Sequence, residues 1–133
     1  MKKQNRKAGT VLVEATLTLL LYTGIVFSLW DFGYLMFLHQ TLASRAETAA
    51  RYGALNPTDT AGMQNMVLYN AASGSGGGIF GLTGSNVTAT RSGSGTSADR
   101  VTVTISNFKY VLIAPGISGT AKDISATMPV ENN

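Results

Sequence analysis

Hydrophobic and polar positions are distributed very unevenly along this chain. From Val11 to Trp30 nearly every residue is apolar, and Glu14 is the only charge. About 20 such residues, rising ~1.5 Å each, match the ~30 Å hydrocarbon core of a bilayer. Beyond Trp30 the pattern changes without a break. Phe32, Leu35, Met36, Leu38, Leu42, Ala46, Ala49 and Ala50 recur near helical spacing, with His39, Gln40, Ser44, Arg45, Glu47 and Arg51 between them. No proline precedes Pro57, and Gly53 followed by Asn56-Pro57 reads as a stop. The spacing predicts one helix over about 10–55, its first half apolar all round (membrane-spanning over about 11–30) and its second half amphipathic.

Thr58-Asp59-Thr60 can cap a second, short helix carrying Met63, Met66, Val67, Asn70 and Ala71. Ser73 to Gly78 reads as a flexible linker by composition. The period then becomes two. Val87–Thr90 reads as a strand. Arg100–Tyr110 alternates, with Val101, Val103 and Ile105 on one face and Thr102, Thr104 and Ser106 on the other. The parity shifts at Phe108, Tyr110 and Leu112, which predicts a bulge near Ser106-Asn107. Pro115-Gly116 turns the chain, and a last strand runs from about Lys122 to Val130. The expected fold is α+β: a long N-terminal helix, a short helix and a small antiparallel sheet of about three strands packed on the helix.

Composition sharpens this in one respect. The net charge of +3 comes from the leader, where Lys2, Lys3, Arg6 and Lys7 stand with no acid. From Thr10 onward acids slightly outnumber bases, and Arg45, Arg51, Arg91, Arg100, Lys109 and Lys122 form no stripe, so a nucleic-acid partner is not expected. The basic leader places the N-terminus in the cytoplasm and the remainder of the chain outside. A cleaved secretory signal is the competing reading. Against it, the apolar run exceeds the usual ~7–15 residues, and Ser28-Leu29-Trp30-Asp31-Phe32 lacks a small-x-small cleavage site.

The motifs of chemistry are sparse. There is no cysteine, and His39 is the only histidine, without clustered carboxylates, so no metal and no catalytic triad is expected. Gly76 to Gly81 matches G-x-G-x-x-G in letters but follows a helix and linker instead of a strand, so no dinucleotide cofactor is expected. Asn86-Val87-Thr88 is a glycosylation sequon in letters only. With no acid–base pair and no small-molecule site, an enzyme is not expected.

Glu14 does require an explanation. A carboxylate in a membrane helix costs up to ~2.5–3.5 kcal/mol at the centre and less near an end. It either reaches the headgroups or has a partner. If the chain were cut after Gly9, the new amine of Thr10 would supply a cation, most naturally from a neighbouring subunit. Gly24 and Gly33 lack side chains, so a neighbouring helix could approach there, although glycine is also tolerated in membrane helices without such a role.

Basic leader, Gly9, four residues, Glu14 and a long apolar helix resemble the class III signal of type IV pilins and pseudopilins. More narrowly, Gly9 to Glu14, Asp31-Phe32-Gly33, Arg45 to Ala54, Val101 to Ile105, Ala114-Pro115-Gly116 and Ile124 to Pro129 resemble the TadE-like proteins of tight-adherence (Tad, Flp) pilus systems. Ala15 stands where that family commonly has an aromatic, and the membrane run lacks the family's frequent proline. The resemblance implies a minor pilin or pseudopilin with residues 1–9 as prepilin leader. Prepilin peptidase would cut it between Gly9 and Thr10. It would then sit in the bacterial inner membrane, with residues 56–133 as an extracytoplasmic head, and serve with other pilins and the Tad assembly machinery in Flp pilus assembly for adherence and biofilm formation. The alternative is a permanently anchored single-pass protein whose head scaffolds an envelope or secretion complex.

Overall fold

The structure, a computed structural model, describes residues 4–113 and 117–131. Lys2, Lys3 and the expected turn at Ala114-Pro115-Gly116 lie outside the described residues. The fold is α+β. Helix α1 (Gln4–Leu55) precedes α2 (Thr60–Tyr69), two single 3-10 turns, and strands β1 (Val87–Ser92), β2 (Arg100–Ile105), β3 (Lys109–Val111), β4 (Ser118–Thr120) and β5 (Ile124–Pro129). The chain divides into two compact units. One is Met1–Met36 with Leu112–Ile117, and the other is Phe37–Val111 with Ser118–Asn133.

α1 starts at Gln4, earlier than the expected Thr10. Nothing in Gln4 to Ala8 opposes helix, and Gly9 in a helix interior costs only about 1 kcal/mol. Within the apolar run the hydroxyls satisfy themselves on the preceding turn. Thr16 donates to the Leu12 carbonyl (2.8 Å), Thr18 to Glu14 (2.9 Å), Thr23 to Leu19 (2.8 Å) and Ser28 to Gly24 (2.8 Å). A hydroxyl bonded in this way can sit in an apolar medium without an unmade bond. The helix is long and apolar enough to cross a membrane, and none of its most apolar stretch is buried in the protein.

In the second unit Leu38, Leu42, Ala46, Ala49 and Ala50 of α1 are buried with Met63, Val67 and Leu68 of α2, and with Val87, Val101, Val103, Ile105, Phe108 and Ile124. The small residues at 46, 49 and 50 allow α1 to lie close to the sheet. Gly53 takes this furthest. It is buried within the helix, and a Cβ there would stand 2.7 Å from Met63 Sδ and 2.8 Å from Val101 Cγ1. So Gly53 is a packing residue and not the expected stop. The helix ends at Leu55, before Asn56-Pro57, and the Glu131 N–H satisfies the Ala54 carbonyl (3.1 Å). Asp59 then caps α2 by accepting from Gly62 N–H (2.8 Å), and its other oxygen accepts from Tyr52 of α1 (2.7 Å).

The main sheet has the order β1-β2-β5, antiparallel throughout, with Val101 opposite Arg91 and Met128. Val101, Val103 and Ile105 are buried, as their alternation predicts. Two corrections concern other parts of the chain. Residues 100–110 are not one bulged strand: at Asn107 (φ +54°) the chain leaves the sheet. Asn86 Nδ2 holds the departure by donating to the Ser106 (3.1 Å) and Asn107 (3.3 Å) carbonyls. β3 then pairs with β4 in a separate two-stranded ribbon that the sequence pattern does not predict. The Ser73–Gly78 stretch is also less of a free linker than expected, since Tyr69 donates its hydroxyl to the Gly76 carbonyl (2.9 Å).

Candidate functional site

The predicted site residues lie on α1. Gly9, Thr10 and Glu14 are exposed, and the Gly9–Thr10 bond falls inside the helix. Glu14 opens into a surface groove of about 550 Å³ lined by Val11, Glu14, Ala15, Thr18, Leu19 and Tyr22. These positions repeat at i, i+3, i+4, i+7, i+8 and i+11, so they form one stripe down the helix, dented where Ala15 and Thr18 are small. A stripe of this kind accepts the ridge of a second helix, and it carries a single carboxylate near one end.

Gly24 and Gly33 are both open, with nothing near enough to meet an added Cβ. Nine residues separate them, which at 3.6 residues per turn is two and a half turns, so they face opposite sides of α1. Gly33 returns to the side of Tyr22 and the Glu14 stripe, and Gly24 does not. One neighbouring helix cannot use both.

Asp31 is a position whose role the hydrophobic pattern does not disclose. It is 5% exposed, and its Oδ1 accepts the Ile113 N–H at 2.8 Å. The bond joins positions 82 apart in sequence, beyond the reach of any local pattern. A second unforeseen carboxylate is Asp99, 3% exposed, which accepts from Arg91 Nε (2.9 Å) and Nη2 (2.5 Å) and from Gly95 N–H (3.1 Å). The Arg91 guanidinium holds the Asp99 carboxyl below the ordinary carboxylate value. Burial pushes the other way, and Gly95 adds to the lowering. The pair closes the β1–β2 hairpin and is structural.

The remaining motif residues are also occupied with structure. Asn86 accepts from Thr83 N–H (3.0 Å) and hydroxyl (2.9 Å) in addition to its clamp on Ser106 and Asn107. Phe80 of the glycine-rich stretch stands edge-on to Phe37, with ring centroids 5.9 Å apart. His39 is exposed on α1. Among the described residues no three His, Cys, Asp or Glu side chains are grouped to hold a metal.

Residues 9–51 match the family model described as TadE-like protein. The matched segment opens at Gly9, contains the whole Glu14 stripe and ends in the Ala-rich turns that pack on the sheet. No curated protein and no solved structure matches the chain. The likeness to TadE-like proteins is confined to residues 9–51, within α1.

Proposed function

We propose that this chain, TadE-like through most of α1, is a structural minor pilin or pseudopilin of a Tad pilus, made with residues 1–9 as a leader that prepilin peptidase removes. The observation that carries the reading is the match that begins at Gly9, with Glu14 four residues beyond Thr10 on an unpartnered helical stripe. In this reading α1 spans the inner membrane with its N-terminus in the cytoplasm, and the second unit lies outside. The scissile bond is inside a helix, so the peptidase must unwind one turn, and the poor helix former Gly9 makes that turn the cheapest one to open. Cleavage frees the Thr10 amine. The Glu14 carboxylate of one subunit then pairs with the Thr10 amine of its neighbour as the stripes come together. Two unit charges ~4 Å apart attract by about 4 kcal/mol at an effective dielectric of ~20. Desolvation offsets much of this, so the pair sets register more than strength.

The test is the mass of the N-terminus in cells with and without the peptidase. Loss of residues 1–9 in the first and retention in the second is the expected result, with Gly9→Val blocking the cut in the first. Retention of the leader in all cells returns the chain to the alternative, a permanently anchored scaffold. Glu14→Gln separates pairing from processing: it should be cut normally and fail to support piliation. Normal piliation with that variant would remove Glu14 from the assembly role.

A further inference from the structure

We infer that the free edge of β5, with the groove between it and α1, takes an extended segment of another protein as an added strand of the main sheet. The order β1-β2-β5 leaves β5 with a neighbour on one side only. The Val130 N–H reaches the Asp99 carbonyl on the β2 side, so antiparallel alternation turns the backbone groups of Ser125, Thr127 and Pro129 outward. Among the described residues the outward N–H and C=O groups of Ser125 and Thr127, and the Pro129 carbonyl, have no partner in the protein. The opposite edge differs, since Gln64 of α2 already holds the Val87 carbonyl of β1. Unpaired donors and acceptors alternating along a strand are complementary to one thing, the backbone of another strand.

The groove makes the edge selective. Ala43 and Glu47 of α1 stand along Ile124 to Met128 around a hollow of about 190 Å³. Arg51, Ala54 and Leu55 stand along Met128, Pro129 and Glu131 around one of about 290 Å³. Met128 lines both, so they are consecutive sections along β5. A strand added antiparallel sets every second side chain on the face of Ala126 and Met128, towards the groove. The residue facing Met128 enters the section walled by Ala54 and Leu55, where Arg51 and Glu131 offset each other in charge. An apolar side chain fits there. Two residues later, the one facing Ala126 enters the other section, where Ala43 and Ala126 are small and Glu47 is the single charge. Glu47 has no ion-pair partner among the described residues, so a long basic side chain fits there. The partner thus reads apolar, any residue, basic from its N-terminal end. β5 of a second copy carries no charge to meet Glu47, so the occupant is a segment of a different protein. Pro129 has no N–H and limits the paired stretch to a short one.

The probe is a short fluorescent peptide of serine and threonine with leucine followed two positions later by lysine. It is titrated into the full-length chain in detergent micelles and followed by anisotropy and by amide NMR shifts. The expected result is saturable binding with shifts at Ser125 and Thr127 and none at Ala89 on the opposite edge. Methylating the peptide nitrogens that face Ser125 and Thr127 removes two ladder bonds and should weaken binding about tenfold. Replacing its lysine by glutamate should weaken binding about two- to fivefold, the range of an exposed ion pair, and Glu47→Lys should reverse that preference. Thr127→Pro removes an outward N–H and leaves the β2 ladder intact, so it should abolish binding at an unchanged melting temperature. Equal binding of the methylated peptide rules out strand addition. A lysine preference that survives Glu47→Lys rules out the groove. Binding of none of these peptides, or self-association of the chain through β5 that excludes them, also overturns the proposal.

Discussion

Asp99 and Asp59 are carboxylates whose hydrogen bonds exist only in the folded chain. Arg91 lowers the Asp99 value, and Tyr52 followed by the Gly62 N–H lowers that of Asp59. A depressed folded-state value means that their stabilisation is complete above the ordinary Asp range near pH 4 and is lost as pH falls through the lower folded values. At the alkaline end the sign reverses. The Tyr52 hydroxyl is raised by its bond to Asp59, so its contribution is present below about pH 10 and fades as pH rises through the raised value. The melting temperature of the detergent-solubilised chain should therefore hold from pH 6 to 9 and drop towards pH 3. Asp99→Asn should lower it at neutral pH and flatten the acid limb, and an unchanged acid limb would show that the Arg91 pair does not contribute. Gly53 poses a different balance. Alanine gains about 1 kcal/mol of helix propensity, but overpacking costs about 1–3 kcal/mol. Met63 can bend away, whereas the β-branched Val101 behind it cannot. Gly53→Ala should be net destabilising by about 1 kcal/mol in chemical unfolding, and Gly24→Ala, on an open face, should not be.

Strand edges decide much at the scale of elements. The Asn86 carbonyl accepts from Ser106 N–H, and the Asp99 carbonyl accepts from Val130 N–H. Antiparallel alternation then turns the backbone of Val87, Ala89 and Arg91 to the free side of β1, and that of Ser125, Thr127 and Pro129 to the free side of β5. On β1 the Val87 carbonyl is taken by Gln64 of α2 (3.0 Å). On β5 the outward position nearest the strand end is proline, which has no N–H to offer. Pro129→Val should restore that donor and increase concentration-dependent association of the purified chain, measured by light scattering, without lowering its melting temperature. Unchanged association would show that the edge is protected by other means. These elements are unequally legible in the sequence. β2 can be read because Val101, Val103 and Ile105 alternate between core and surface over six residues. β3 and β4 cannot, because three residues each hold barely one alternation, and their pairing depends on the left-handed turn at Asn107, which no hydrophobic period encodes. Glu14 stands out because a charge in an apolar run is costly. Asp31 does not, since its partner is supplied by a distant loop.

For the molecule as a whole, the division into two units means that damage to the core of the second need not reach the first. Leu42 is 1% exposed among the α1 residues buried in the second unit. Leu42→Ala should destabilise that unit by about 2–5 kcal/mol while leaving protease protection of residues 11–30 in vesicles unchanged. Loss of that protection would mean that the two units fold as one. The first unit is built from two separated pieces of chain, and that discontinuity has a consequence in time. At about 5–20 residues per second the ribosome makes Ile113 roughly 4–16 s after Asp31, because 82 positions lie between them. The unit containing the first residues of the chain is thus among the last to close, although most of it is a single helix. Any stall or truncation before residue 112 would release a chain whose N-terminal helix is complete and whose β3–β4 loop has never existed.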